Sequence, residues 1–157
     1  SFVRFGYAIK LQTPPSMKYD FKMFDGKTRS EYEWDEYPTY EAYVAMMREF
    51  ADEYPDRCSL MELCALESGR KILIIRLNNG DATYKPKVLL ASTIHGDELV
   101  GYVMMLRLIN EMLTNEINPV VNNIMQNVDL FICPNANPDG TYHASPKKST
   151  YPFSTSL

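Results

Sequence analysis

Lys87-Val88-Leu89-Leu90-Ala91-Ser92-Thr93-Ile94 runs straight into His95-Gly96-Asp97-Glu98, and a largely apolar segment follows over 98–113. The first eight residues read as a central strand buried on both faces, because continuous apolar runs of that length belong to inner strands. Leu99, Val100, Val103, Met104, Leu106, Ile109 and Leu113 read as a substantially buried helix, with Arg107, Asn110 and Glu111 towards its far end. Strand, tight turn and helix in that order predict an α/β fold in which the carboxyl end of the strand is the place for a site.

The same alternation of periods extends in both directions. Upstream, Tyr40, Tyr43, Val44, Met47, Phe50, Ala51 and Tyr54 recur every three or four residues, which predicts an amphipathic helix over 40–54 with Thr39 as N-cap and Pro55 as stop. A hairpin is expected next: a strand over 59–66, a turn at Glu67-Ser68-Gly69-Arg70, and a returning strand over 71–77. Downstream, a short amphipathic piece over 120–126 leads to an inner strand over 128–133. That strand stops at Pro134-Asn135-Ala136-Asn137-Pro138-Asp139-Gly140, read as a loop. The elements together predict a mixed β-sheet flanked by helices. In front of them, the alternating runs 3–11 and 17–23 read as adjacent strands of a β-hairpin appendage, or the end of a preceding domain, with a polar connector over 27–36. The expected division is therefore 1–36 and 37–157.

Composition narrows the partners. The chain has 157 residues, 45% of them apolar and 23% charged, with a net charge of −4, so it can bury a core but offers no basic stripe for nucleic acid. No apolar run reaches the length of a membrane span. Cys58, Cys64 and Cys133 lack a C-x-x-C spacing and read as buried thiols rather than a disulfide framework, leaving the compartment open. Ser1 in place of methionine, with no basic-then-apolar leader, suggests a processed or trimmed chain.

His95 and Glu98 stand in H-x-x-E spacing at the strand end, where an imidazole nitrogen and a carboxylate oxygen can converge as two of three zinc donors. By itself this pattern has a bland explanation too, since a glutamate at a helix N-terminus is favoured by the helix dipole. The later Asn137-Pro138-Asp139-Gly140 makes the combination far rarer. The ordered set, with the 40–54 helix ending in Tyr-Pro and the Glu67-Ser68-Gly69-Arg70 turn, resembles the zinc carboxypeptidases of peptidase family M14 over about residues 37–140. The resemblance implies a carboxypeptidase-like (phosphorylase/hydrolase-like) fold of which this chain is the N-terminal part. It also implies one Zn2+ held by His95 and Glu98, with the third protein ligand missing from this chain. Asn137 to Gly140 would support the site, and Asp97 would face the substrate. The family's chemistry, hydrolysis of the C-terminal residue of a peptide, needs a general base expected beyond Leu157, so the isolated chain is expected to be inactive. Many such enzymes act outside the cytoplasm, which suggests a secreted or periplasmic setting.

His143, the other histidine, falls too soon after the Asn-Pro-Asp-Gly loop to match the family's second histidine and reads as an exposed loop residue. Lys147 and Lys148 read as a solvated patch. Two alternatives remain: a zinc amidohydrolase of the aspartoacylase or succinylglutamate desuccinylase type, against which the Asn-Pro-Asp-Gly loop argues, and a non-catalytic binding module that kept the fold. The latter would expose a sheet edge open to dimerisation or strand exchange.

Overall fold

Within the charged stretch 27–36 lie Tyr32 and Trp34, and their rings set its place more than its charges do. The structure is a computed structural model that describes residues 6, 22–26 and 28–142. The strands expected over 3–11 and most of 17–23 lie outside these residues, as do His143, Lys147 and Lys148. Strand β1 (Met23–Phe24) pairs in parallel with β2 (Tyr37–Pro38), and between them a 3-10 turn covers Arg29–Glu31. Tyr32 is buried against Phe24 and Trp34, with ring centroids 4.7 Å apart in both pairs. Arg29 ties this stretch to the helices: its amide donates to Glu49 at 2.6 Å, and its guanidinium donates to Asn110 at 2.7 Å and pairs with Glu53. The polar connector is therefore packed against the core by its aromatic residues.

Helix α1 (Tyr40–Glu53) starts as expected, the Thr39 hydroxyl accepting the Ala42 amide at 3.2 Å. It buries Ala42, Tyr43, Met46, Met47 and Phe50 and packs on β3 (Cys58–Ala65) and β4 (Lys71–Leu77), the two strands of the expected hairpin. Each large side chain so buried contributes roughly 1.5–3 kcal/mol relative to exposure. Among the described residues the main sheet has four strands in the order β3-β4-β6-β5, where β5 is Lys87–Ala91 and β6 is Asp129–Cys133. β6 runs antiparallel to β4 and parallel to β5, so the sheet is mixed, as expected. The helices of the second half are α2 (Leu99–Thr114), α3 (Pro119–Asn127) and α4 (Pro138–Tyr142).

Five expectations need correction. β5 is an edge strand, not a central one, and Leu89 is 60% exposed, because β6 takes the inner place and β5 has one partner among the described residues. The strand also stops at Ala91, short of Ile94, since Thr93 adopts φ 62° and leaves the extended conformation. Helix α2 is buried along Leu99, Tyr102, Leu106, Ile109 and Leu113, yet Val100 and Met104 on another side are 67% and 64% exposed. Asn137-Pro138-Asp139-Gly140 is not a loop: Asn137 caps a single helical turn, α4, its carboxamide oxygen accepting the Gly140 amide at 2.8 Å. Finally, Cys58 and Cys133 are buried, but Cys64 is exposed on β3; all three are free thiols. No helix among the described residues is long and apolar enough to cross a membrane.

Candidate metal centre

After Ala91 the chain must leave the sheet, reverse and enter α2 within seven residues. Two backbone features accomplish this. Thr93, buried and β-branched, sits at φ 62°, a conformation that costs such a residue on the order of 1–3 kcal/mol and persists only where its surroundings enforce it. Its hydroxyl donates to the Glu98 carbonyl at 3.1 Å, closing the turn across its mouth. Gly96 sits at φ 79°, and a Cβ there would lie 2.5 Å from the Gly140 carbonyl carbon, so only glycine fits between the two chain segments. The turn is thus pressed against α4.

The contact with α4 continues as hydrogen bonds to the carbonyls on either side of His95. Asn137 Nδ2 donates to the Ile94 carbonyl at 3.0 Å. The Thr141 hydroxyl donates to the Gly96 carbonyl at 2.9 Å while accepting from Asn135 Nδ2 at 3.1 Å. Asn135 is fully buried and also accepts the Asn137 amide, at 3.1 Å, so the segment leaving β6 is fixed before α4 begins. A further backbone bond, Ala136 N–H to the Ser92 carbonyl at 3.0 Å, joins the ends of β5 and β6.

This framework leaves the side chains of His95, Asp97 and Glu98 exposed around a buried Gly96. Glu98 is the N-cap residue of α2, but its carboxylate makes no capping hydrogen bond. The dipole of α2 still favours an acid at this position, but the carboxylate is not committed to a cap. An imidazole and a carboxylate at the end of a strand are donors of the type zinc takes. They do not amount to a complete cage: among the described residues no three His, Cys, Asp or Glu side chains gather to hold a metal ion. Sequence reasoning named Asn137 to Gly140 as the support, read Ser68, Arg70 and Asn135 only as turn and loop residues, and gave Thr93 and Thr141 no part. The available signal was the polar pair Ser92-Thr93 interrupting an apolar run just before the histidine.

The fold is that of the carboxypeptidases. Carboxypeptidase A from Helicoverpa armigera, in its crystal structure, superposes with a TM-score of 0.66 at 30% identity over 76% of this chain and 29% of its own. Thrombin activatable fibrinolysis inhibitor superposes with a TM-score of 0.67 over 79% of this chain and 31% of its own, at 15% identity, a likeness of fold alone. The family model described as zinc carboxypeptidase matches residues 43–151, and the chain belongs to that family. Among curated relatives, zinc carboxypeptidase A 1 of Anopheles gambiae is 26% identical over 76% of this chain, and carboxypeptidase B of Astacus astacus 27% identical over 69%. The chain spans about a third of the length of these relatives, 27% and 35% respectively.

Proposed function

We propose that this chain is the part of a zinc-dependent metallocarboxypeptidase that supplies the first two metal ligands, His95 and Glu98, and that Asp97 between them faces the peptide substrate. The observation that supports this most is the locked turn. Gly96 is pressed against Gly140 in a left-handed conformation, with a bonded carbonyl on each side of His95, while the neighbouring side chains stay exposed and Glu98 is left uncommitted by its cap position. Such an arrangement spends backbone strain to present donors.

Zinc bound there would supply Lewis-acid polarisation of the scissile carbonyl and a water of lowered pKa. The chain's own residues contribute placement. His95 would present a neutral ring nitrogen, Glu98 a carboxylate oxygen, and Asn137, Pro138, Asp139 and Gly140 the support behind them. The edge of β5 that is unpaired among the described residues, with Leu89 exposed beside it, is where we place the further strands of a complete carboxypeptidase domain. The general base belongs to that remainder, so the 157-residue chain alone should release no C-terminal residues.

Metal analysis after dialysis against zinc tests the ligand assignment. The unaltered chain should retain zinc, and His95→Ala and Glu98→Gln should each retain less; equal zinc in the chain and in Glu98→Gln would remove Glu98 from the site. A peptide-release assay on the zinc-loaded chain tests the rest. Release of C-terminal amino acids that His95→Ala abolishes would show that these residues already suffice.

A further inference from the structure

Helix α4 holds the turn around His95, but a helix of five residues does not hold itself, since a single turn fixes several dihedrals for few hydrogen bonds. Something outside it must set its position. The structure shows Arg70, in the turn of the β3–β4 hairpin, gripping both its ends. One guanidinium nitrogen donates to the Asp139 carboxylate in the first turn at 3.2 Å, and the other donates to the Tyr142 carbonyl at the last residue at 3.2 Å. Ser68, in the same hairpin turn, also donates to Asp139. The guanidinium lies 5.8 Å from the centre of the Tyr40 ring and 5.9 Å from that of Tyr142, which restricts its plane.

Arg70 is itself fixed. Its carbonyl accepts the Leu66 amide at 2.8 Å across the hairpin, and the next residue's amide, Lys71 N–H, donates to the Tyr40 hydroxyl at 2.7 Å. A continuous path therefore runs from the hairpin through Arg70 and Asp139 to α4, and from Asn137 and Thr141 to the carbonyls of Ile94 and Gly96. We propose that Arg70 and Asp139 are a positioning pair that sets the backbone on both sides of His95 and so aims the metal-binding turn. Arg70 is suited to this because one planar fork reaches a carboxylate and a carbonyl at once; lysine, with a single ammonium, would reach one of them. The pair touches neither metal nor substrate and acts through α4. This inference rests on the metal-site reading above, but its structural half can be tested without it.

The experiment uses the full chain and the variants Arg70→Lys, Asp139→Asn and His95→Ala. Zinc is titrated while the imidazole signals are followed by NMR, which is simple in a chain with two histidines. Amide hydrogen exchange is read in parallel at Gly96 and Asp97 and along β4 and β6. Asp139→Asn and Arg70→Lys should each weaken zinc binding by about tenfold, the range expected when a group supporting a metal ligand is lost. Exchange should quicken at Gly96 and Asp97 and stay unchanged in β4 and β6, which separates aiming from general loss of stability. Zinc affinity and turn exchange both like those of the unaltered chain, in either variant, would overturn the proposal. If exchange quickens across β4 and β6 as well, the pair holds the fold rather than the turn and the proposal falls too. Zinc binding that survives in His95→Ala would instead refute the metal-site reading, and the exchange data would still judge the clasp.

Discussion

Gly96 and Thr93 bear opposite relations to the left-handed backbone they share. Glycine adopts it without penalty, whereas threonine does so only because its hydroxyl closes on the Glu98 carbonyl and its side chain is buried. A methyl at position 96 has nowhere to go, with the Gly140 backbone 2.5 Å from the Cβ position. Gly96→Ala should therefore lower stability by about 2–3 kcal/mol, from the left-handed penalty together with overpacking. Equilibrium urea unfolding measures it, and a change of less than about 0.5 kcal/mol would mean the turn is not pressed against α4 as described. The sequence made this residue legible as a turn glycine. It did not disclose the partner, because nothing in a local pattern says that Gly140, far along the chain, supplies the opposing wall.

Among the elements, β4 and β6 carry the centre of the sheet, and an ion pair ties them. Arg76 of β4 donates to both carboxylate oxygens of Asp129 in β6, at 2.7 and 3.1 Å, and Asp129 is 0% exposed while the arginine side chain remains 38% exposed. The pair holds Arg76 protonated to higher pH than usual, chiefly through the hydrogen bond to Asp129. Losing the arginine strands a buried carboxylate; losing the carboxylate lets the arginine turn to water. Arg76→Met should cost about 3 kcal/mol and more than Asp129→Asn, read from denaturation midpoints of the two variants. The reverse order would contradict the burial asymmetry. Element types and most boundaries were legible from periodicity: α1 begins at its capping threonine, and β4 covers the expected 71–77. Position in the sheet was not. β5 is as apolar as an inner strand, and only pairing distinguishes an inner strand from an edge strand that further structure would cover. The Asn-Pro-Asp-Gly segment was misread as a loop for a related reason, because its turn residues are also those of a cap and first helical turn, Asn137 followed by Pro138.

Across the whole molecule, the core is rich in groups that resist ionisation. Burial pushes the Cys133 thiol up to about 11 and the Cys58 thiol up to about 12, and it raises Tyr43, Tyr102 and Tyr142 above the usual phenol value. In the unfolded chain these groups lose protons at their ordinary values, so raising the pH favours unfolding. Their contribution is intact below about pH 9 and is lost as the pH climbs through the folded values. The urea midpoint should fall between about pH 8 and about pH 10.5, and a midpoint that stays level would show that these groups are not shielded. At this scale the family was legible from the order of motifs, and the mixed sheet confirms the fold.

Whether His95 and Glu98 together hold zinc is read from zinc K-edge X-ray absorption on the zinc-loaded chain. The spectrum should show imidazole scattering and oxygen donors with no sulfur, the imidazole component vanishing in His95→Ala and the number of oxygens bound to zinc falling in Glu98→Gln. A spectrum with thiolate donors, or one that is the same in all three proteins, would contradict that assignment.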